Sequence, residues 1–248
     1  MAQFTSNNNV IEIEHLVKSF NGKEILKDIS LNLKIGENLA VLGKSGIGKS
    51  VLIKCIVGLI LSDSGKINVL GKDITNLNQT ELLKIRQKVG FLFQGGALYD
   101  SMSVRENLLF PINRNLHLID KQKIQELIEE SLNSVGLIDE IDKMPSELSG
   151  GMKKRIGLAR TLILKPEIIL YDEPTTGLDP ATSREISNLI LKVQKDYNTA
   201  SIIITHDINC VKLTSNRINI IRNGIIYAEG TYEKLKNSEN EWVSSFLK

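Results

Sequence analysis

Eight residues between an apolar run and an amphipathic segment set strong limits on the fold of this chain. They are Gly43, Lys44, Ser45, Gly46, Ile47, Gly48, Lys49 and Ser50, with the spacing G-x-x-x-x-G-K-[ST]. The preceding run ENLAVL predicts a buried strand, and residues 49–58 predict a helix. Glycines let such a loop curl so that successive N–H groups face phosphate oxygens, with the positive end of the helix dipole behind them. The sequence therefore predicts an α/β protein that binds a nucleotide through its phosphates.

Two side chains of this loop have the chemistry that a bound polyphosphate requires. Lys49 can reach the β and γ phosphates, and the hydroxyl of Ser50 can bind Mg²⁺, which prefers oxygen ligands and bridges the phosphates. We predict nucleotide contacts for all eight loop residues and for Val51, which follows them. An ordinary glycine-rich turn is the alternative, and the strand–loop–helix context argues against it.

A second pair of candidate catalytic residues ends the predicted strand at 167–172. Asp172 and Glu173 place two carboxylates at the carboxyl edge of a sheet, where ligands of α/β proteins bind. Because adjacent residues at a strand end point in different directions, Asp172 can face Mg²⁺ while Glu173 faces the γ-phosphate and accepts a proton from an attacking water. Taken alone, such a pair is more often a solvated sheet edge, but the phosphate-binding loop reverses that preference.

Hydrophobic periodicity divides the chain into strand-rich and helical parts. Residues 10–42 alternate as strands around a hairpin turn at 21–22, where a mixed sheet begins. Further strands are predicted at 66–70, 89–93, 167–172, 201–205, 217–222 and 225–229, and helices at 49–58, 79–87, 180–196 and 207–213. Between 95 and 165 the signals are helical only, including a capping box formed by Ser103 and Glu106. We predict a helical insertion within an α/β domain.

Composition excludes several classes of protein. The chain has 248 residues, of which 42% are hydrophobic, so we expect a globular protein. Its 31 basic and 29 acidic residues leave no electrostatic footprint for nucleic acid, and we expect no nucleic-acid partner. No apolar stretch approaches the roughly 20 residues that a membrane-spanning helix needs.

The N-terminal sequence and the cysteines point to the reducing cytosol. The N-terminus lacks the basic start and apolar stretch of a secretory signal, and we expect residues 1–9 to be flexible. Cys55 and Cys210 lie in apolar helical surroundings and are interpreted as buried free thiols. His15 and His117 have no carboxylate or cysteine at ligand spacing and are interpreted as structural.

The segment 148–152, which reads LSGGM and is followed by KKRIGLAR, resembles the signature sequence of ABC-type ATPases. Other motifs occur in that family's order: Gln94 matches its Q-loop, Asp179 its D-loop and His206 its switch histidine. Phe20 matches the aromatic residue that stacks on adenine, although an isolated phenylalanine near a turn is more often part of a core. The resemblance covers about residues 10 to 235.

The resemblance implies an ABC-type P-loop ATPase with a RecA-like core, an N-terminal antiparallel β subdomain and an inserted helical subdomain. It implies one nucleotide-binding domain over 10–248, with the β subdomain and ATPase core in 10–94 and 166–248 and the helical subdomain in 95–165. ATP and Mg²⁺ are the implied cofactors. The implied catalytic residues are Glu173, His206, Gln94 and Lys49, and the implied metal ligands are Ser50, Gln94 and Asp172. Implied nucleotide contacts beyond the loop are Phe20, Leu148, Ser149, Gly150, Gly151, Met152 and Asp179.

The signature also has a physical role as an element that acts on a second chain. Ser149 begins a predicted helix, so its hydroxyl, Gly150, Gly151 and the helix dipole can together bind a γ-phosphate. They cannot serve phosphates bound in their own chain. The resemblance therefore implies a head-to-tail dimer in which each ATP lies between the Lys49 loop of one copy and the Ser149 loop of the other, with closure favoured by ATP.

Met152 departs from the family pattern, because most members have glutamine there. Together with the segments GKSVLIKCIVGL, FQGGALYDSMSV and YDEPTTGLDPATS, it is similar to ATPase subunits of MCE-associated, Mla-type phospholipid transporters. This similarity implies a membrane permease, an MCE-domain protein and an accessory subunit as partners, and a peripheral position on the cytoplasmic face of the inner membrane. The alternatives are an ABC ATPase for another solute and a soluble ATPase of the Fe–S assembly type.

Three further segments carry hypotheses of their own. The basic cluster 153–155 is interpreted as a solvated helix face rather than a phosphate or lipid contact. Residues 95–104 are interpreted as a hinge whose Leu98, Tyr99 and Met102 receive a helix of the permease, with packing inside the helical insertion as the alternative, above all for Leu98. Trp242 and Phe246 either close the core or meet another subunit.

Overall fold

One continuous sheet of ten strands runs through the part of the chain that the computed structural model describes, residues 8–115 and 120–247. The strands are β1 (Asn9–Phe20), β2 (Lys23–Lys34), β3 (Asn38–Leu42), β4 (Ser64–Val69), β5 (Lys72–Asp73), β6 (Val89–Leu92), β7 (Ile168–Asp172), β8 (Ala200–Ile204), β9 (Arg217–Arg222) and β10 (Ile225–Gly230). Their order in space is β5-β4-β1-β2-β10-β9-β3-β8-β7-β6. The prediction that residues 1–9 are flexible is wrong for Asn9, which begins β1 and pairs with Lys34, while residues 1–7 lie outside the described residues. His117, interpreted as structural, also lies outside them.

The antiparallel half of the sheet follows from the alternation near the N-terminus. β1 and β2 form the predicted hairpin, and Asn21 and Gly22 at its turn both have positive φ, as such a turn requires. β4 pairs with the other edge of β1, and β5 pairs with β4, both antiparallel. His15 lies on the surface of this half, where its Nδ1 is 3.0 Å from Oδ1 of Asp28.

The parallel half of the sheet brings the predicted catalytic segments to one edge. β9, β3, β8, β7 and β6 pair in parallel and are almost completely buried. Strands covered on both faces read as continuous apolar runs, which explains the absence of alternation in β3 and β8. Gly43, Asp172 and His206 follow or end three neighbouring strands, and Gln94 follows the fourth, so all four share the carboxyl edge.

Helices cover both sides of this half. They are α1 (Lys49–Ile56), α2 (Gln79–Arg86), α3 (Val104–Asn115), α4 (Lys121–Ser134), α5 (Gly150–Leu162), α6 (Pro180–Tyr197), α7 (Ile208–Thr214), α8 (Tyr232–Lys236) and α9 (Glu241–Phe246). Within the described ranges, none of them has the length and apolar character to cross a membrane. β5, α8 and α9 have no counterpart among the predicted elements, because two to six residues are too few to show a period.

The predicted helical stretch contains α3, α4 and α5. The capping box at the start of α3 is confirmed: the N–H of Ser103 donates to Oε2 of Glu106 at 2.8 Å, and the N–H of Glu106 donates to Oγ of Ser103 at 3.3 Å. These helices share a core with α6 and with one face of β6, β7 and β8, which includes Leu108, Leu132 and Ile156. The helical part is thus packed directly on the strands whose carboxyl ends form the edge described above.

The C-terminal aromatic residues close a smaller core in this chain. Trp242 and Phe246 pack against a cluster that contains Leu42, Ile220 and Val243. Cys55 and Cys210 are buried free thiols, as predicted, and burial raises the pKa of Cys55 to about 11.

Candidate functional site

The phosphate-binding loop joins β3 to α1 in the predicted order. Gly48 caps α1 with a φ of 106°, which side-chain-bearing residues rarely adopt. A Cβ atom at this position would lie 2.6 Å from Cγ2 of Ile25 and 2.9 Å from Cδ2 of Leu26. The loop can therefore approach β2 this closely only because Gly48 has no side chain. Residues 44–46 are exposed, so the loop is open to a ligand.

Lys49 lies on the inner side of this loop, with only 7% of its surface exposed. Its Nζ donates to the carbonyl oxygens of Gly43 at 2.8 Å and Lys44 at 3.2 Å. Burial lowers the pKa of Lys49, and the carboxylates of Glu173 and Asp172 oppose this shift. An ammonium group held by the loop's own carbonyls is placed where phosphate oxygens can replace them.

Ser50 and Asp172 meet although 122 residues separate them, with Oγ of Ser50 donating to Oδ1 of Asp172 at 3.1 Å. Burial raises the pKa of the Asp172 carboxyl, the hydrogen bond from Ser50 opposes this, and the charge of Glu173 raises it further. A bound cation would offset both effects that disfavour the carboxylate. A hydroxyl and a carboxylate are ligands that Mg²⁺ prefers, so these residues fit a magnesium site.

Glu173 is held in a defined orientation by two neighbours. Its Oε2 accepts a hydrogen bond from Oγ1 of Thr176 at 2.9 Å and lies 2.9 Å from Nδ1 of His206. Its backbone has a φ of 51°, and its N–H donates to the carbonyl oxygen of Ile204 at 2.8 Å. The structure thus brings together the predicted residues Glu173 and His206 from two strand ends, and it adds Thr176, which no motif had indicated.

A cavity of about 760 Å³ connects these groups. The predicted residues that line it are Phe20, Gly43, Lys44, Ser45, Gly46, Gly48, Lys49, Ser50, Val51, Gln94, Glu173 and His206. Phe20 is 42% exposed, so it belongs to the cavity wall and not to a core. Ile47 does not line the cavity, because it packs against the core beside α1. Ile25, Thr176 and Phe246 also line the cavity, although no motif in the sequence indicates them.

The signature segment 148–152 does not line this cavity. Ser149 caps α5, and its Oγ accepts a hydrogen bond from the N–H of Met152 at 3.2 Å. Ser149 and Gly150 are exposed, whereas Gly151 is buried against α6. The structure of one chain therefore presents the start of α5 to solvent, outside the cavity that the phosphate-binding loop lines.

Asp179 also lies outside the cavity. It caps α6, and its Oδ1 accepts hydrogen bonds from the N–H groups of Ala181 and Thr182 at 3.0 Å each. Its Oδ2 accepts from the hydroxyl of Thr182. Within its own chain this carboxylate organises the beginning of a helix.

The prediction that 153–155 form a solvated helix face is wrong for Lys154. This side chain is 5% exposed, and its Nζ donates to the carbonyl oxygens of Thr176 at 2.6 Å and Glu173 at 3.4 Å. Burial lowers the pKa of Lys154. Three consecutive cations carry no signal for which one faces inward, since that depends on how α5 packs against the turn after β7.

The segment after Gln94 is fixed to the helical part by a buried asparagine. Oδ1 of Asn107 accepts from the N–H of Tyr99 at 2.8 Å, and its Nδ2 donates to the carbonyl oxygens of Tyr99, Met102 and Ser103. Leu98 packs against the helical core, as its alternative interpretation expected. Tyr99 remains 43% exposed.

The profile of the ABC transporter family matches residues 26–176, which is more than half of the chain. The chain belongs to the ABC transporter family. It is accordingly an ABC ATPase that uses ATP with Mg²⁺, as the resemblance implied.

Relatives of this ABC ATPase differ in the substrate that their names state. It is 38% identical to the intermembrane phospholipid transport system ATP-binding protein MlaF of Haemophilus influenzae over 242 residues, covering 98% of this chain and 91% of MlaF. It is also 38% identical to the probable ribonucleotide transport ATP-binding protein mkl of Mycobacterium leprae over 237 residues, covering 96% of this chain and 68% of mkl. Identity alone therefore does not assign the substrate.

A solved structure confirms the predicted fold. The ATP-binding cassette MJ0796, in a dimeric post-hydrolysis state bound to ADP and Pi, matches with a TM-score of 0.81 and 30% identity. The match covers 89% of this chain and 98% of the other.

Proposed function

We propose that this ABC ATPase works as a head-to-tail dimer that powers a membrane permease for phospholipid, in association with an MCE-domain protein and an accessory subunit. The dimer lies at the cytoplasmic face of the inner membrane, held there by the permease. One observation carries the proposal: the cavity contains the phosphate-binding and hydrolytic residues, while the exposed Ser149 and Gly150 lie outside it. Each of the two nucleotide sites of the dimer is then completed by both chains: one supplies the cavity and the other supplies Ser149 and Gly150.

In this proposal the residues in and beside the cavity divide the work among them, with Asp172 joining the site through its hydrogen bond from Ser50. Lys49 and the loop N–H groups bind the phosphates, and Ser50 and Asp172, with Gln94, hold Mg²⁺, which neutralises phosphate charge when bound. Glu173 accepts the proton of the attacking water. His206, whose Nδ1 lies 2.9 Å from Oε2 of Glu173, orients this carboxylate.

Replacement of Glu173 by glutamine tests the assignment of the base. Glutamine keeps the shape and an acceptor for the Thr176 hydroxyl but is not basic, so we expect turnover to fall by about 10²–10⁴-fold while ATP binding persists. Lys49→Ala is expected to impair both. Near-normal hydrolysis by the Glu173→Gln variant in the assembled transporter would refute the role of Glu173.

The dimer is supported by the position of the signature and by the dimeric state of the similar cassette. Ser149 at the start of a 13-residue helix offers a hydroxyl, free N–H groups and a helix dipole to a phosphate. Because this end of α5 does not line the cavity of its own chain, a nucleotide bound by a second copy is the ligand that it fits.

Mixing two inactive variants tests this arrangement. A mixed dimer of Lys49→Ala and Ser149→Arg chains regains one complete site, whereas each parent dimer has none. We expect the mixture to retain ATP through gel filtration, and neither parent to do so. Mixed dimers that form, as measured by cross-linking of tagged chains, and yet retain no more ATP than the parents would argue against the head-to-tail model.

The permease contact is assigned to the surface around Tyr99. Its ring lies 4.9 Å from that of Phe110, and the guanidinium of Arg160 lies 5.8 Å from its centroid. Phe93, one residue before Gln94, is also exposed. An exposed aromatic surface beside a residue of the nucleotide cavity suits a partner that must sense nucleotide binding.

Replacing Tyr99 with aspartate tests this surface. We expect weaker co-purification with the permease and lower transport, with ATP affinity of the isolated chain unchanged, because loss of an interface aromatic typically costs about 2 kcal/mol or more. Ile225→Asp is the matched control, since Ile225 is a similarly exposed apolar residue on β10. If Tyr99→Asp assembled with the permease and transported as well as the Ile225→Asp control, the docking role would be refuted.

Phospholipid is the substrate favoured by the similarity to MlaF and by Met152 in the signature segment 148–152. Extraction of the native transporter from membranes, followed by mass spectrometry of what remains bound, tests it. Bound phospholipid and an MCE-domain subunit are the expected result. A complex that carries a polar solute instead, such as the ribonucleotide in the name of mkl, would make the chain an ATPase for another solute.

A further inference from the structure

Lys154 lies on α5 a little more than one turn after Ser149, with 5% of its surface exposed. A buried ammonium group is unfavourable unless polar atoms compensate it. Within residues 8–115 and 120–247, no carboxylate oxygen lies within 4.0 Å of its Nζ, which donates instead to the carbonyl oxygens of Thr176 and Glu173. Two main-chain carbonyls from a neighbouring segment thus determine where this side chain points.

These two carbonyls belong to the turn that carries the catalytic carboxylate. Glu173 has a φ of 51°, which a residue with a side chain keeps only where its surroundings enforce it. The N–H of Thr176 donates back to the carbonyl of Glu173 at 3.3 Å, and the Thr176 hydroxyl donates to its carboxylate at 2.9 Å. The main chain and the side chain of Glu173 are therefore fixed by one small hydrogen-bonded turn, which Lys154 holds from the side of α5.

We propose that Lys154 is a positioning residue for ATP hydrolysis. By binding the carbonyls of Glu173 and Thr176 it keeps the turn 173–176 in the conformation that directs the Glu173 carboxylate into the cavity. It also joins α5, whose exposed end carries Ser149, to the base of the same chain. A shift of α5 when Ser149 meets a nucleotide of the second copy is then transmitted to Glu173 by a single side chain. This inference rests on the proposed roles of Glu173 and of the dimer.

Lys154→Met in the full chain tests the inference, because methionine fills similar space and has no donor. We expect single-turnover hydrolysis of ATP to slow by about tenfold or more, since misplacement of a reacting group by about 1 Å can cost 10²-fold. The dissociation constant of ATP should change by less than about twofold, because Lys154 does not line the cavity. Lys154→Arg keeps a charged donor and should restore much of the rate.

Lys153→Met is the matched control, because Lys153 precedes Lys154, is half-exposed and undergoes the same change. Wild-type hydrolysis is expected there. Wild-type hydrolysis in Lys154→Met would overturn the proposal. So would a parallel loss of rate, ATP affinity and thermal stability that arginine does not restore, because that pattern marks a residue that only maintains the fold.

Glu173→Gln, measured in the same assay, separates this inference from the proposed function. If Glu173→Gln retains turnover, the role of Glu173 fails first. If Glu173→Gln is inactive and Lys154→Met is normal, only the role of Lys154 fails. In the double variant, Lys154→Met should slow the residual rate no further, because the carboxylate that it positions is already absent. A full additional decrease there would refute the coupling.

Discussion

Replacement of Gly48 by alanine is expected to damage the nucleotide site of this ABC ATPase without removing a functional side chain. Gly48 has a φ of 106° and caps α1 immediately before Lys49. Its new Cβ would lie 2.6 Å from Cγ2 of Ile25 and 2.9 Å from Cδ2 of Leu26, closer than carbon atoms can approach. Either these side chains or the loop must move, and Leu26, a residue of β2, is completely buried in the core.

Two energetic costs add in this variant. A side-chain-bearing residue in a sparsely populated backbone region is strained by about 1–3 kcal/mol. Forcing an extra methyl group into a filled core costs about 1–3 kcal/mol more. We therefore expect Gly48→Ala to lower the free energy of unfolding by about 2–6 kcal/mol, a large part of the 5–15 kcal/mol that is typical of folded proteins.

Gly22→Ala is the matched control at the β1–β2 turn. Gly22 has a φ of 77°, and an added Cβ would meet no atom within 4 Å, so only backbone strain of about 1–2 kcal/mol is expected. Both variants are unfolded with urea and followed by circular dichroism, with and without MgATP. A ligand at 100 times its dissociation constant stabilises the folded chain by about 2.7 kcal/mol.

The wild type and Gly22→Ala should gain this increment in full, and Gly48→Ala should lose at least half of it because the loop N–H groups have moved. Equal destabilisation of the two variants would refute the close approach of the loop to β2. A full MgATP increment in Gly48→Ala would show that ATP binding does not need the observed loop geometry.

Three further predictions concern the wall of the cavity and the stability of the sheet. Phe20→Ala should weaken ATP binding by about 1–3 kcal/mol, the value of one base-stacking contact, and Phe20→Tyr should retain it; equal affinities measured by calorimetry would exclude stacking. Burial alone would raise the pKa of Glu37. Hydrogen bonds from Arg217 and from a backbone N–H, together with the charge of Arg217, outweigh that effect, so the pKa of Glu37 is lowered. Ionised Glu37 therefore stabilises the fold above about pH 4.3, and this stabilisation is lost as the pH falls through the lowered pKa. The difference in unfolding free energy between wild type and Glu37→Gln should therefore become smaller in acid. A difference that stays constant with pH in urea titrations would contradict this. The ring of Trp242, the single tryptophan, lies 5.5 Å from the ring of Phe246, which lines the cavity. MgADP should therefore change the fluorescence of Trp242, and Phe246→Leu should reduce that change. Constant Trp242 emission at saturating MgADP would place Phe246 away from the ligand.

Much of the candidate site could be predicted from the sequence, because its motifs are local. The loop 43–50 needs only its own glycines and the strand and helix beside it, so its spacing defines its conformation. Asp172, Glu173 and His206 end or follow apolar runs, and the runs of a parallel sheet place their carboxyl ends together. The capping box of Ser103 likewise depends on residues three positions apart.

Other features were decided only by the tertiary structure. The hydrogen bond between Ser50 and Asp172 joins residues 122 positions apart, and Phe246 reaches the cavity because a six-residue helix folds back on β3 and β9. Lys154 is buried because α5 packs with one particular rotation against the turn after β7. Periodicity and spacing describe neighbours along the chain, whereas these contacts depend on helix rotation and on the packing of distant elements, which the amino-acid pattern of any one segment does not contain.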